Sequence, residues 1–240
     1  GYGRERYVKG LQWINKYAQK YGIYVSLVMP HLKNNAIIEK YAGNMIRIDA
    51  DVLEGSWYRF SDNNRGTLRG GWPNSENAFD GFINWSKISG REKVRLDGDF
   101  IRISSFDNDD EKMSAVSLPL MAGGPIAVTD MPTGHDLTFF QNEEMLALQK
   151  DGFVGQPLKR DLWSTDGEIW YGQMKDGSWV VGLFNREQSA ATRTLELSKI
   201  GLSGSWKARD LWKHADEGTV ADKIEAIIPS HGCKIIKLSK

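Results

Sequence analysis

Met45-Ile46-Arg47-Ile48-Asp49-Ala50-Asp51-Val52 divides, residue by residue, into two chemistries. A strand has a side-chain period of two, so Ile46, Ile48, Ala50 and Val52 share an apolar face while Arg47, Asp49 and Asp51 share the other. One face needs a core. Three ionisable groups in a row on the opposite face predict a strand whose polar side lines a pocket rather than bulk solvent. The plainer alternative is a structural ion-pair network inside a barrel, with no chemistry.

Working outward, residues 23–29 form a near-continuous apolar run ended by Pro30, the pattern of a strand buried on both faces and therefore of a parallel sheet. Before it, Tyr7, Val8, Leu11, Ile14, Tyr17 and Ala18 recur at helical spacing over residues 4–21, and Gly22 supplies a C-terminal stop. After it the pattern predicts a short helix at 34–41, the opening strand at 45–52, and a polar loop at 61–77. Then come a helix at 78–86, a strand at 100–104, a helix at 109–121, a strand at 125–129 and a helix at 137–150. Such βα alternation predicts an α/β fold with a parallel sheet, open or closed into a barrel, and function at the carboxyl ends of the strands. Past Asp151-Gly152 the period becomes alternating. Strands are expected at 168–174, 179–184, 192–197, 206–211, 224–228 and 234–238, with a hairpin turn at Asp176-Gly177. The expected domains are therefore 1–153, a βα unit, and 154–240, an antiparallel β-sandwich.

Composition narrows the function. Lysine plus arginine balances aspartate plus glutamate at 31 each, so no global field favours nucleic acid or an anionic membrane, and a neutral substrate is expected. Cys233 stands alone, which excludes an internal disulfide and a cysteine zinc cluster. His31, His135, His214 and His231 lack ligand spacing, so no metal and no cofactor are expected. No apolar run reaches the length of a membrane span, and the start shows no basic and then apolar signal segment.

Several segments in order resemble glycoside hydrolase family 27, the α-galactosidases and α-N-acetylgalactosaminidases. Residues 43–52, Gly-Asn-Met-Ile-Arg-Ile-Asp-Ala-Asp-Val, are similar to that family's sixth barrel strand, in which an arginine precedes the general acid/base aspartate by four positions. Leu96-Asp97-Gly98-Asp99-Phe100 resembles the opening of the seventh strand, whose aspartate lines the sugar pocket, and Asp97 takes that place. Residues 118–130 and 140–156 resemble the passage into the last strand and the exit helix with its turn. Glu168-Ile169-Trp170-Tyr171, Gly182-Leu183-Phe184-Asn185-Arg186, Arg209-Asp210-Leu211-Trp212 and Pro229-Ser230-His231-Gly232 resemble successive landmarks of the C-terminal β domain. The resemblance implies the C-terminal half of a (β/α)8 barrel in 1–153 followed by the sandwich, with the nucleophilic aspartate and the first half of the barrel upstream of Gly1. It also implies a secreted or periplasmic enzyme. One departure bears on substrate: where the galactosidases carry a glutamate that binds the sugar's 2-hydroxyl, this chain has Val28, which cannot accept that hydrogen bond. The N-acetylgalactosaminidases also lack that glutamate.

A retaining glycosidase needs two carboxyl groups about 5 Å apart, one attacking the anomeric carbon and one protonating the departing oxygen. The expected proton donor is Asp51, which burial would keep protonated and which Arg47 opposes. If Arg47 pairs preferentially with Asp49, ionised Asp49 supports the protonated state of Asp51. The expected sugar-binding residues are Arg47, Asp97, Val28 and Trp72, the last in the polar loop. Trp57 and Trp85 are expected in the core and Asp99 as a turn residue. The acidic run 107–111 is expected to cap a helix rather than bind calcium, and His231 to occupy a turn. The expected activity is retaining hydrolysis of terminal α-galactosyl-type residues from oligosaccharides or glycoconjugates, which requires the missing N-terminal half. The alternatives are α-N-acetylgalactosaminidase or β-L-arabinopyranosidase activity, or a non-catalytic carbohydrate-binding or structural module.

Overall fold

The structure, a computed structural model, describes residues 3–52 and 55–240; Gly1, Tyr2, Leu53 and Glu54 lie outside the described residues. Helix α1 (Arg4–Tyr21) ends where expected, because Gly22 adopts the left-handed conformation and its N–H returns to the carbonyls of Ala18 and Gln19. It leads into β1 (Ser26–Leu27), then α2 (Glu39–Ala42) and β2 (Met45–Arg47). Glu39 on α2 is buried and accepts from the Tyr7 hydroxyl at 2.9 Å and the Leu32 N–H at 3.1 Å, tying α1 to the loop that follows β1.

Beyond β2 a π-helical turn (Tyr58–Asp62) opens the long polar loop, and α3 (Ala78–Trp85) starts at Asn77, whose side chain accepts from the Asp80 N–H. Next come β3 (Arg95–Asp97), β4 (Phe100–Ile101), α4 (Asp109–Ala122) and β5 (Ala127–Val128). All pairings among these strands are parallel, in the order β1-β2-β3 and then β4-β5. Gly98 and Asp99 separate β3 from β4, and the strand expected at 100–104 is cut to two residues before a 3-10 turn at Ile103–Ser105. A Cβ at Gly98 would strike the Phe82 ring, which explains the glycine. This is the C-terminal half of a (β/α)8 barrel. Ile46, Ile48, Leu96, Phe79 and Phe82 fill its core.

Two expectations change here. Ile23, Tyr24, Val28 and Met29 are exposed rather than buried, because β1 is the edge strand of its sheet and no further strand pairs with it among the described residues. The helix expected at 137–150 is two, α5 (Thr138–Gln141) and α6 (Glu143–Asp151), broken at Asn142. The Asn142 side chain caps α6 through the Met145 N–H and donates to the Leu211 carbonyl.

The remaining chain is antiparallel. Strands β6 (Gln156–Pro157), β7 (Ile169–Gln173) and β8 (Trp179–Phe184) are followed by β9 (Ala191–Glu196), β10 (Trp206–Asp210), β11 (Ala215–Val220), β12 (Lys223–Ile228) and β13 (Cys233–Ser239). A six-stranded sheet runs β11-β10-β13-β8-β7-β6, and β12 pairs with β9 in a second layer. Between the layers lie Val181, Leu183, Leu195, Ile224, Ile236 and Leu238. The other face of the large sheet presents Val180, Phe184 and Ile235 to the barrel core, and Phe184 meets Phe79 of α3 edge-on at 5.6 Å. The half-barrel core thus continues onto the outer face of the large sheet, while the sandwich keeps a second core between its layers.

Candidate active site

Three strands end level with one another. Register pairs Leu27 with Ile46 and Arg47 with Asp97, and Val28 follows directly in the bend that leaves β1. Val28, Arg47 and Asp97 therefore mark the carboxyl ends of β1, β2 and β3, the end at which parallel βα folds place their chemistry. Val28 is largely exposed, and its side chain has no hydrogen-bonding atom to offer.

Arg47 is the centre of the arrangement, with a side chain only 6% exposed. Its Nε donates to Asp49 Oδ1 at 3.1 Å, and its Nη2 reaches the Ala50 carbonyl at 3.0 Å, Asp51 Oδ1 at 3.1 Å and Asp99 Oδ2 at 2.7 Å. Asp99 has a φ of 69°, so it is the turn residue expected from its position. It is also more than that: it is buried, its Oδ2 accepts the Val52 N–H at 2.8 Å, and its own N–H donates to Asp97 Oδ1 at 2.9 Å. The signal for it was a second carboxylate two residues after Asp97; the intervening Gly98 disguised it as a plain turn.

The electrostatics follow from one cation among four carboxylates. Burial, first, and then the charges of Asp99 and Asp97 hold the Asp49 carboxyl well above the usual carboxylate range, against the pull of Arg47. Burial also raises Asp97, against the Asp99 N–H and Arg47. For Arg47 burial acts to lower the pKa, but Asp49, Asp99 and Asp97 outweigh it and push it up, so the guanidinium stays charged. Asp49 Oδ2 is buried with no hydrogen-bond partner among the described residues, which accords with a carboxyl biased toward its protonated form.

These findings revise two expectations. Asp51 is not buried: its side chain is 85% exposed at the mouth of the group. Nor does Arg47 prefer Asp49, since its shortest contact is to Asp99 and Asp49 leans toward protonation. The arrangement suits proton transfer by another route. Whatever the state of exposed Asp51, Arg47 keeps Asp99 at 2.7 Å, so the buried cation is not left unpaired.

The polar loop reaches this group from above. Asp49 forms a parallel bridge with Ser75, and the Ala50 N–H donates to the Ser75 carbonyl at 2.9 Å. Trp72 sits at the tip of the turn that the Arg69 N–H closes on the Asn74 carbonyl at 2.7 Å, three residues from that bridge. Trp85 is core and donates to Asn74 Oδ1 at 2.8 Å; Trp57 is core as well. The structure therefore brings Arg47, Asp49, Asp51, Asp97 and Asp99 into one contact network, puts Val28 in the bend that leaves the neighbouring strand and connects Trp72 to it only through the loop. The acidic run acts as a cap: Asn108 accepts from the Glu111 N–H, and Glu111 accepts from the Asp107 N–H. His231 has a φ of 60° and pairs with Glu111 at 2.7 Å. Among the described residues no group of three or more His, Cys, Asp or Glu is arranged to hold a metal, and a guanidinium occupies the centre of the carboxylates. Nor is any helix among them long and apolar enough to cross a membrane.

Comparison with known proteins supplies the context. The family described as the α-galactosidase C-terminal β-sandwich domain matches residues 164–238. The isomalto-dextranase of Arthrobacter globiformis is 39% identical over 99% of this chain, which spans 38% of that enzyme's length. An α-galactosidase of Cyamopsis tetragonoloba is 38% identical over 50% of the chain and 29% of its own length. Among solved structures, the Arthrobacter globiformis isomalto-dextranase complexed with panose superposes with a TM-score of 0.91 at 37% identity, covering 99% of this chain and 41% of that one. A family 27 β-L-arabinopyranosidase from Geobacillus stearothermophilus shares the fold, with a TM-score of 0.76 at 21% identity over 97% of this chain and 54% of that one. Half-barrel and sandwich are similar to those of these relatives, and residues 164–238 match the α-galactosidase C-terminal β-sandwich family.

Proposed function

We propose that a protein carrying this chain is a retaining α-glycosidase in which Asp51 is the general acid/base, and that its substrate is an α-linked glucose chain of the dextran type. The observation that carries the glycosidase reading is the Arg47 group at the strand ends, with exposed Asp51 at its mouth. Two observations support the glucan. The similarity to an isomalto-dextranase runs through both half-barrel and sandwich, whereas that to the α-galactosidase covers half the chain. Apolar Val28, in the bend that leaves β1, offers no acceptor to a sugar hydroxyl.

In this reading a carboxylate on a strand preceding Gly1 attacks the anomeric carbon while Asp51 protonates the departing oxygen. Asp51, now ionised beside Arg47, then takes a proton from the water that releases the sugar. Arg47, Asp97 and Trp72 contact the sugar, Asp49 and Asp99 hold Arg47, and the division between catalytic half-barrel and sandwich falls at 153/154. The resemblance to family 27 glycosidases supports a secreted or periplasmic location.

The match of residues 164–238 to the α-galactosidase sandwich favours a second reading, hydrolysis of terminal α-galactosyl residues or the related α-N-acetylgalactosaminide and β-L-arabinopyranoside chemistries. Assay of the purified protein on dextran and on matched p-nitrophenyl glycosides separates them. We expect glucose oligosaccharides from dextran, with Asp51→Asn lowering the rate by about 10²–10⁴-fold. Preference for a galactoside would install the second reading, and inertness toward every substrate would leave a carbohydrate-binding or structural module.

A further inference from the structure

The long loop between β2 and α3 carries Gly66, whose φ is 78° and whose N–H donates to Asp80 Oδ2 at 2.6 Å. The indole of Trp163 lies directly over it: a Cβ at Gly66 would overlap the ring atoms Cζ2 and Cε2. One part of the indole is thus seated on a glycine, yet Trp163 remains 72% exposed. Nothing in the sequence singled out this tryptophan; Trp57 and Trp85, which did attract notice, are core.

Both layers of this stack are fixed to the same buried group. Under Gly66, Asp80 is paired through Oδ1 with Arg186 Nη1 at 2.8 Å, and neither side chain has any exposure. On the other side, the Trp163 N–H donates to Asp161 Oδ1 at 2.9 Å, and Ser164 caps the 3-10 turn Thr165–Glu168. Glu168 is held by Arg193 at 2.7 Å and by Arg65, the neighbour of Gly66, at 3.0 Å. Arg65 also reaches Glu187, which is half-exposed, at 3.3 Å, and Arg65 Nε is buried without a hydrogen-bond partner among the described residues. The result is an exposed aromatic ring seated on the backbone of the half-barrel loop at Gly66.

We propose that Trp163 on Gly66 is a sugar-binding platform apart from Asp51, taking one pyranose ring of an α-glucan chain. A pyranose presents a face of C–H bonds to an indole and its hydroxyls to neighbouring carboxylates and guanidinium groups, and a pre-positioned ring loses little freedom on binding. Apart from Leu162, which packs against the core, the flanking sequence, Lys159-Arg160-Asp161 before and Ser164-Thr165-Asp166 after, is polar, which suits a sugar better than the apolar surround of a protein hot spot. The choice of a glucan rests on the function proposed above; the platform does not.

Native electrophoresis of the protein in gels containing dextran, galactomannan or neither tests this. We expect dextran to retard the protein, Trp163→Ala to weaken that retention about tenfold and Trp163→Phe to retain part of it, with the melting temperature of both variants unchanged because the ring is exposed. Retention by galactomannan in place of dextran, lost in Trp163→Ala, would keep the platform and remove the glucan. Equal retention of the protein and Trp163→Ala, or retention by neither polysaccharide, would overturn the platform.

Discussion

Arg47 and Arg186, both buried, sit in opposite electrostatic settings. Arg186 is enclosed at the junction of half-barrel and sandwich. Its Nε donates to Ser61 Oγ at 2.8 Å, its Nη1 to Asp80, and its Nη2 to the Ser61 carbonyl and Asn77 Oδ1. With Arg65 and Arg193 it faces Asp80, Glu168 and Glu187, three cations against three anions. Arg47 is one cation among Asp49, Asp51, Asp97 and Asp99, and its group opens to solvent through Asp51. A balanced, closed cluster locks parts together. An excess of carboxylates with an open mouth raises proton affinities and allows protons to come and go.

The largest expected effect is on the closed cluster. Replacing Arg186 with methionine leaves Asp80 charged, buried and unpaired, so we expect a loss of about 3–5 kcal/mol in urea unfolding, partly restored when Asp80→Asn is added. A loss below about 1 kcal/mol would show that the cluster does not lock the two parts. The same change at Arg47 should cost less, about 1–3 kcal/mol at pH 7, because its carboxylates can take up protons. The cost should shrink as the pH is lowered, because burial already holds Asp49 and Asp97 above the usual carboxylate range; a pH-independent cost would remove the contrast.

Asp49→Asn sharpens it further. The folded pKa of Asp49 lies above its unfolded value, so its favourable contribution is complete below the unfolded pKa and is lost as pH rises through the folded one. Thermal unfolding of the variant should therefore gain on the parent as the pH is raised from about 4 toward neutrality. A gain on acidification would mean that Asp49 is held ionised instead.

How far each part was legible depends on whether its cause is local. Helix α1 and the hairpin turn at Asp176-Gly177 were readable because periodicity and a glycine stop act over a few residues. Strand β11 was not, since Ala215–Val220 is an edge strand exposed along nearly its whole length and shows no alternation. The split at Asn142 was written as a polar cap inside an apolar run, and the run masked it. At the site, the alternation of Arg47, Asp49 and Asp51 was visible, whereas the contact of Arg47 with Asp99 spans 52 positions and depends on how Gly98 turns the chain. The Arg186 pairing with Asp80 spans 106 positions and left no local trace.

The central claim is that the Arg47 group does chemistry through Asp51 rather than merely holding the barrel. It is tested by the pH–rate profile of Asp51→Asn on an unactivated oligosaccharide, measured beside the variant's stability. The account predicts a rate lowered by about 10²–10⁴-fold with the basic limb lost, and stability within about 0.5 kcal/mol of the parent because Asp51 is exposed. An undiminished rate with the basic limb intact would contradict it.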